Sequence, residues 1–412
     1  MRKYLGIILN YYYLIVIALY FVTFFVNGFH VGFVCAGIMV VITLGIIFSQ
    51  KGKWKISGIS DYLCVAYMLW CVISSLQYFS QNISYTVFIK AASNSMLPIC
   101  FYFVPKVFDT KKIWTNFLKA YFICALVGLI LIITKTDKFY SYCAQYGYSN
   151  TRLSSVIGST AIGMLGVISI IVSIKEVCIT KGEKGKLLYL SSIVFSFLSM
   201  QRSAWIVMAL VLLLLHICIF YKWKILKISF FYVEMVIFFS GVIVFWNGLC
   251  AAINRYILER ASAVSDGKEV GLFSSRVYTW IEAIKNSNII IGSGYGARTH
   301  KAMGVTEYIV CDGSWAGLLC EIGIIGILIF IALIIINLVK GVKNFRLLYA
   351  QVMIVIAISL QAIGSNMLEY QIIMPLFWLS LGEINMKEIG KGIIRDESNC
   401  NVSSTVSYDS GE

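Results

Sequence analysis

Charged side chains are scarce in this chain. Asp, Glu, Lys and Arg make up 13% of its 412 residues, whereas hydrophobic side chains make up 59%. Soluble domains carry about a quarter of their residues as charged side chains. This chain has too little charge to cover its surface in water, so lipid must solvate much of it. The composition excludes a soluble enzyme, and it gives no reason to read the net charge of +14 as nucleic-acid binding.

Other features are also missing. The two halves of the chain show no internal repeat, although alternating-access transporters usually have related halves. This absence lowers the transporter interpretation without excluding it. No Cys, His or carboxylate residues stand together at metal-ligand spacing, so neither a metal nor another cofactor is expected. Most of the 12 cysteines fall within apolar runs, where they behave as small packing residues.

Long apolar runs dominate what is present. A transmembrane helix needs about 20 consecutive apolar residues. By that measure twelve runs are predicted to span the membrane, and the fourth is weak because Lys90, Ser93, Asn94 and Pro98 interrupt it. The twelve runs are 4–26, 28–48, 59–79, 86–104, 114–134, 156–174, 187–201, 203–221, 228–250, 315–338, 347–365 and 371–385.

The basic residues predict the orientation of these spans. Most lysines and arginines fall on one side of the predicted topology, together with both termini. The opposite short loops carry only Lys135, Lys138, Arg152 and Arg202. Basic residues concentrate in cytoplasmic loops, so both termini are predicted to be cytoplasmic. The fold class is therefore all-α, a polytopic bundle of about twelve transmembrane helices with one long external loop.

This topology divides the chain into four parts. Residues 1–253 form the scaffold of spans one to nine, and residues 254–314 form the external loop. Residues 315–390 contain spans ten to twelve, and residues 391–412 form a polar cytoplasmic tail that is predicted to be disordered.

The long loop contains a predicted amphipathic helix. Val277, Trp280, Ile281 and Ile284 recur at helical spacing after Ser274 and Ser275, either of which can cap the helix. Such a helix would lie along the membrane surface with Arg276 near the headgroups. It leads into GSGYGA, whose glycines at 292, 294 and 296 favour a sharp turn, followed by the basic residues Arg298, His300 and Lys301.

Three stretches of the chain resemble the bacterial O-antigen polymerase and ligase family. DGSWAGLLCEIGIIG at 312–326 is similar to the family motif of His-Asn-x-aromatic followed by Glu-x-Gly-x-x-Gly. SRVYTWIEAIK and IIIGSGYG, within 275–296, resemble the helix and glycine turn that precede this motif. QRSAW at 201–205 resembles a Ser-Arg joint, with Gln201 where serine is usual.

The resemblance implies a membrane glycosyltransferase of the C type, located in the bacterial cytoplasmic membrane. Such an enzyme transfers an undecaprenyl-pyrophosphate-linked oligosaccharide donor onto an acceptor outside the membrane. The family's arginines map onto Arg202 and Arg276. Arg298, in the basic segment that follows the glycine turn, is a further candidate ligand of the pyrophosphate. The family's histidine maps onto Asp312, and this departure favours a polymerase of O-antigen, capsule or exopolysaccharide over a ligase.

Asp312 is the predicted catalytic base, because a partly desolvated carboxylate can accept the proton of an acceptor hydroxyl. Arg152, His300, Glu307 and Glu321 are candidates for supporting roles, with Glu321 expected to be paired within the bundle.

Simpler interpretations of the same residues stay open. Asp312 can cap a helix, Arg202 can snorkel to the interface, and Arg276 can be solvated. A ligase, a lipid-linked oligosaccharide flippase and a structural subunit remain alternative functions. Besides donor, acceptor and lipid bilayer, a flippase and a chain-length regulator of the same pathway are candidate partners.

Overall fold

The structure is a computed structural model. It describes residues 2–26, 29–49, 58–146, 152–180, 183–216, 272–310 and 312–386. These residues form helices and connecting turns, and no β-strand occurs among them. The ninth predicted span at 228–250 and the tail at 391–412 lie outside the described residues, as does the first part of the long loop.

The helices alternate with short connections. Their bounds are α1 Arg2–Phe25, α2 Val31–Ser49, α3 Ile59–Ser74, α4 Gln77–Gln81, α5 Tyr85–Ala91, α6 Cys100–Phe103, α7 Lys111–Thr134, α8 Asp137–Tyr146, α9 Ser159–Thr180, α10 Glu183–Leu198, α11 Arg202–His216, α12 Leu272–Lys285, α13 Ser314–Lys343, α14 Phe345–Gln361 and α15 at 374–386.

The fold is a helical membrane bundle. Within the described part of the chain, six segments are long and apolar enough to cross a membrane: Arg2–Phe25, Val31–Ser49, Ile59–Gln81, Tyr85–Lys106, Lys111–Thr134 and Ser314–Lys343. Shorter apolar helices occur at Ser159–Ile174, Gly185–Leu198, Arg202–Leu215 and Leu347–Gln361. The all-helical membrane class is thereby confirmed, whereas the total of twelve spans remains a prediction.

Contacts between the helices divide the bundle into two ends. At one end, which we call the site end, Ser203 meets Ser365, Leu153 meets Leu198, and Gln371 meets Gly32. At the other, which we call the terminal end, Arg2 bonds to Val107. α2, α11 and α13 begin at the site end, and α10 and α14 end there. The orientation of these ends relative to the cytoplasm remains a prediction.

The fourth predicted span is interrupted, as its polar residues indicated. α5 passes into a π-helix at Ala92–Met96 and then into a 3₁₀ turn at Leu97–Ile99 that contains Pro98. π-Helical turns are frequent at functional sites. Here the π-helix places Ser93, Asn94 and Ser95 toward the site end.

The segment predicted as a polar loop at 135–155 contains a helix instead. α8 covers Asp137–Tyr146, and it is held down by the hydroxyl of Tyr142, which donates to the Val156 carbonyl at 2.9 Å. The sequence did not predict this helix, because the segment is too polar to span a membrane. Only the amphipathic spacing of its residues indicates a helix.

α13 is broken at Gly323, where φ is 65° and ψ is −176°. The break frees carbonyl and N–H groups that a continuous helix would pair internally. The loop segment 289–294 pairs them. Ser293 N donates to the Cys320 carbonyl at 2.8 Å, Gly294 N donates to the Glu321 carbonyl at 2.9 Å, and Ile324 N donates to the Ile289 carbonyl at 2.8 Å.

A side chain completes this pairing. The indole of Trp70, on α3, donates to the Ile322 carbonyl at 2.8 Å. The glycine turn also packs closely against other helices: Tyr78 donates to the Tyr295 carbonyl at 2.6 Å, and the Tyr295 hydroxyl meets Ser95 at 2.7 Å. Residues 292–299 are consequently buried, so this part of the predicted external loop is a structural component of the bundle.

The terminal end contains two buried polar networks centred on acidic residues. Asp61, which is 0% exposed, pairs with Lys106 and accepts from Tyr102 at 3.0 Å and from Asn385 at 2.8 Å. Glu383 accepts hydrogen bonds from Thr110, Trp114 and Gln351. Both networks join α15 to earlier helices, so the last described helix is fixed at this end.

We predict that Gly292→Ala destabilises the protein strongly. Gly292 has φ 91°, and a Cβ there would lie 2.1 Å from the Glu321 carbonyl oxygen. The left-handed backbone alone costs about 1–2 kcal/mol, and forced overpacking adds about 1–3 kcal/mol. Thermal unfolding of the purified variants measures the loss.

The matched control is Gly304→Ala, because Gly304 has φ 80° but nothing lies within 4 Å of its added Cβ. It should show the backbone cost alone. Equal melting temperatures for the two variants would show that the close crossing at Gly292 contributes nothing.

Candidate functional site

The turn at 362–371, which follows α14, is the meeting point of the site end. Asn366 Oδ1 accepts from Gly313 N at 2.9 Å, and Ser314 Oγ donates to the Ser365 carbonyl at 3.1 Å. On the other flank, Gln371 Nε2 donates to the carbonyls of Gly32 and Ser93. The turn thus joins the starts of α2 and α13 to the π-helix.

Arg202 begins α11 at one flank of this turn. Its neighbour Ser203 has its Oγ 3.2 Å from Ser365 Oγ, and Gln201 Oε1 accepts from Thr160 at 3.4 Å. The Arg202 side chain itself is exposed. The short polar Ser and Gln side chains therefore hold the start of α11 against the turn while leaving the guanidinium available to a ligand.

Arg152 is also exposed at the site end. The next residue, Leu153, donates its N–H to the Leu198 carbonyl at the end of α10, at 3.0 Å. This bond places Arg152 beside the α10–α11 joint, because Leu198 lies four residues before Arg202 in the chain. Its predicted supporting role is compatible with that position.

The predicted interfacial helix is present as α12, and it begins at Leu272, ahead of the two serines. Trp280 packs against Gly313, where an added Cβ would lie 2.7 Å from the indole ring. Ala283 is fully buried, whereas Ile281 faces outward with 44% of its area exposed, which differs from the predicted stripe. Arg276 lies one helical turn before Trp280, and its side chain is outside the described part of the structure.

Asp312 stands immediately before α13. The N-cap residue of that helix is Gly313. Asp312 therefore lies one position before the N-cap, whereas the simpler interpretation of its role had made Asp312 the cap itself. Its backbone is left-handed, with φ 55°. Aspartate tolerates this conformation better than most residues, and such strain is concentrated at functional sites. Burial raises the pKa of the Tyr370 phenol, and the nearby side chains of Glu369 and Asp312 raise it further.

A small cavity of about 20 Å³ lies behind the turn. Its charged lining residues are Lys301, Glu321 and Glu369, which come from the loop, α13 and the turn. Burial raises the pKa of Glu369 to about 7, and the positive charge of Lys301 opposes this rise. Burial lowers the pKa of Lys301, and Glu369 counteracts that shift. The two groups therefore stabilise each other's charged form.

Glu321 is 2% exposed and has partners that differ from the expected pairing between helices. Its Oε1 accepts the backbone N–H of Arg298 at 3.4 Å, and the N–H of Gly296 also donates to the carboxylate. The same carboxylate lines the cavity. Glu321 thus links the glycine turn to the cavity wall.

Arg298 holds the loop together. The side chain is 6% exposed and donates to the carbonyls of Asn286 at 2.5 Å and Tyr308 at 3.4 Å. Burial lowers its pKa, while nearby Glu321 opposes the shift. Its Nε has no partner among the described residues. Pyrophosphate binding by Arg298 stays a prediction, and it would compete with these loop contacts.

The remaining candidates lie apart from the cavity. His300 and Glu307 are both exposed, and neither lines the cavity. His300 begins the short 3₁₀ turn His300–Ala302, which brings the following residue, Lys301, to the cavity wall. The structure therefore brings Arg202, Asp312, Glu321 and Lys301 around one turn and leaves His300 and Glu307 at the periphery.

Sequence reasoning missed Glu369 and gave Lys301 no role. Glu369 lies in a short connection that the predicted topology treated as a simple turn. The available signal was a carboxylate between apolar runs, a position where an ionisable residue is costly and marks function. No signal in the sequence paired it with Lys301, 68 positions earlier in the chain.

The arrangement suits chemistry on an anionic substrate. The N-termini of α9, α11 and α13 approach the same turn, where Thr160 bonds to Tyr370 and both Ser203 and Ser314 bond to Ser365. A helix N-terminus carries about half a positive charge and favours anions. Arg202 adds a planar donor, and Asp312 and Glu369 offer carboxylates that can accept a proton. In the described residues, no three His, Cys, Asp or Glu side chains are grouped so as to hold a metal ion.

No family model and no curated protein sequence matches this chain.

We predict that Glu369 makes stability depend on pH. Its pKa of about 7 in the folded protein exceeds the ordinary value of 4.5. The folded state therefore holds the proton more tightly, and this stabilisation is complete below pH 4.5 and lost as the pH rises through about 7. The melting temperature of the wild type should fall across this window, and Glu369→Gln should flatten the fall.

The control is Glu307→Gln, which replaces an exposed carboxylate outside the cavity. It should keep the wild-type dependence. An unchanged pH profile in Glu369→Gln would mean that Glu369 titrates in the folded protein as it does in the unfolded chain.

Proposed function

We propose that this protein is a membrane glycosyltransferase that polymerises lipid-pyrophosphate-linked oligosaccharide repeat units into a surface polysaccharide. The observation that carries the proposal is the convergence of Arg202 and Asp312 on one turn. Ser203, beside Arg202, meets Ser365 at 3.2 Å, and Gly313, beside Asp312, meets Asn366 at 2.9 Å. A guanidinium and a carboxylate thereby stand on the same side of the bundle, near three helix N-termini.

The proposed reaction needs both groups. A hydroxyl of the acceptor sugar attacks the anomeric carbon of the donor sugar. The new glycosidic C–O bond forms while the bond between that carbon and the pyrophosphate oxygen breaks. The lipid pyrophosphate leaves with the electron pair, and the hydroxyl proton passes to a carboxylate. No cofactor takes part, because the donor sugar is already activated.

In this proposal Arg202 and Arg276 bind the leaving pyrophosphate. Guanidinium groups donate two parallel hydrogen bonds to phosphate oxygens, which suits a charge that grows as the bond breaks. The N-termini of α11 and α13 add partial positive charge on the same side. Trp280 packs against Gly313, so α12 carries Arg276 within one helical turn of the start of α13.

Asp312 is the proposed base. It precedes Gly313 directly, and its left-handed backbone is held by the contacts that fix residues 313 and 314 to the turn. A carboxylate held in one orientation contributes about 10²–10⁴-fold when it accepts a proton in the transition state. This chain has an aspartate at the position where ligases of the family that it resembles carry a histidine. This difference favours polymerisation over ligation.

The experiment that tests the function is elongation in vitro. Purified protein in lipid nanodiscs is given a lipid-pyrophosphate-linked repeat unit, and the products are resolved by length. A polymerase makes a ladder of longer glycans and releases lipid pyrophosphate. A flippase in liposomes would move the same units across the bilayer without lengthening them, and that outcome would replace the proposal with its main competitor.

We predict that Arg202→Ala lowers the elongation rate by about 10²–10³-fold, because removal of a preorganised donor to a developing negative charge costs about 2.7–4 kcal/mol. Arg276→Ala should behave alike. Lysine should rescue each position poorly, since a point charge replaces only part of the bidentate contact.

The matched control is Lys285→Ala on α12, an exposed lysine that pairs with Glu282 at 3.1 Å. It removes a positive charge from the site end and should leave elongation within about twofold. If Arg202→Ala and Arg276→Ala elongate normally at equal protein levels, both arginines only anchor the protein at the interface.

We further predict that Asp312→Asn folds normally and loses about 10²–10⁴-fold in elongation. Asparagine tolerates the left-handed backbone as aspartate does, so the substitution removes proton acceptance without adding strain. Melting temperature and elongation are measured on the same preparation. Normal elongation would transfer the role of base to another carboxylate, and Glu369→Gln in the same assay tests the nearest one.

A further inference from the structure

A groove lies beside the cavity, on the flank of the 362–371 turn opposite Arg202. Its volume is about 260 Å³, just below the range of sites that hold drug-sized ligands. Its walls come from the ends of α1 and α2, from the π-helix and from the loop. The residues lining it include Tyr20, His30, Lys90, Asn94, Tyr142 and Lys301. Sequence analysis assigned none of them to a site.

Two ammonium groups face this groove from different elements. Lys90 comes from α5, and Lys301 comes from the 3₁₀ turn His300–Ala302. Burial lowers the pKa of Lys301, and the nearby positive charge of Lys90 lowers it further. Among the described residues, neither ammonium makes a hydrogen bond or an ion pair within 4 Å. Like charges held close together in a partly desolvated groove repel each other unless an anion lies between them.

The groove and the cavity are neighbours. Asn94 and Lys301 line both of them. The cations lie along the groove, and the carboxylates of Glu369 and Glu321 lie at the cavity end. Glu369 offsets only part of the charge, since it acts on Lys301 and its carboxyl has a raised pKa. The groove therefore retains a positive field at its own end.

We propose that the groove is a second anion site, in which Lys90 and Lys301 bind a phosphate or pyrophosphate group of the acceptor substrate. This inference rests on the proposed polymerase function. A polymerase must hold two lipid-pyrophosphate-linked molecules at once, and only one of them can occupy the arginine site. The amide of Asn94 supplies a neutral donor beside the two cations, and His30 lies at the rim.

This arrangement gives the two substrates separate anchors. The donor pyrophosphate is held by Arg202 and Arg276, where its charge develops. The acceptor phosphate is held by lysines, whose single-point contacts do not demand a bidentate geometry. The turn at 362–371 lies between the two anchors, and its Glu369 lines the cavity beside the groove.

Binding of lipid-linked and free anions tests the proposal. Purified full-length protein in zwitterionic nanodiscs is titrated with undecaprenyl pyrophosphate, with inorganic pyrophosphate, and with the uncharged polyprenol as a blank. Calorimetry gives the number of sites and their affinities. We expect two sites for undecaprenyl pyrophosphate in the wild type. Binding of inorganic pyrophosphate at the same sites would show that the oxyanion alone is recognised, and its failure to bind would assign recognition to the lipid-borne group.

The double variant Lys90→Gln with Lys301→Gln should weaken one of the two sites by about tenfold to a hundredfold for each lysine. The double variant Lys90→Arg with Lys301→Arg should keep both sites, which separates loss of charge from loss of folding. Lys285→Gln, which neutralises an exposed lysine on α12, should bind as the wild type does.

The outcomes separate this inference from the proposed function. If Arg202→Ala removes one site and the lysine-to-glutamine pair removes the other, both stand. If the wild type has one site that only the lysine variants remove, the groove site stands and the arginine assignment fails. If the lysine-to-glutamine pair binds with wild-type number and affinity, or if polyprenol binds equally well, the groove is not an anion site.

Discussion

The broken helix α13 imposes the constraint on which the site end depends. A backbone carbonyl or N–H group left unpaired in a membrane interior costs several kcal/mol, so non-helical backbone is tolerated there only where protein covers it. The break at Gly323 exposes such groups, and the loop segment 289–294 pairs with them from Ile289 to Gly294. Loop and helix can therefore adopt these conformations only together.

This pairing positions the charged residues that follow in the chain. Once residues 292–299 are buried between α3, α5 and α13, Arg298 meets Glu321, and Lys301 reaches the cavity opposite Glu369. The first part of α13 then extends from Glu321 back to Ser314, where it meets the 362–371 turn. The cavity, the start of α13 and the turn consequently share one rigid support, which preorganised electrostatic stabilisation requires.

Sequence reasoning predicted the features that depend on local composition. The spans α1, α2, α3 and α7 follow from uninterrupted apolar runs, and the interruption near Lys90 follows from polar residues in an otherwise apolar segment. The break in α13 could not be predicted in this way, since Gly317 and Gly326 are also glycines in this segment and the helix breaks only at Gly323. Likewise, the proximity of Lys301 and Glu369 depends on how the loop docks, and no periodicity within either segment reports on a partner so far away in sequence.

The polar networks at the terminal end set a limit on how far the chain can be shortened. Asn385 donates to the buried Asp61, and Glu383 accepts from Thr110, just before α7, and from one side chain each on α7 and α14. A chain that ended before Glu383 would leave Asp61 with fewer partners and would orphan the donors of Trp114 and Gln351 in a buried setting, where each unmet group costs about 1–3 kcal/mol. The residues through Asn385 therefore contribute to the stability of the fold, although they lie beyond the last residue of the candidate site.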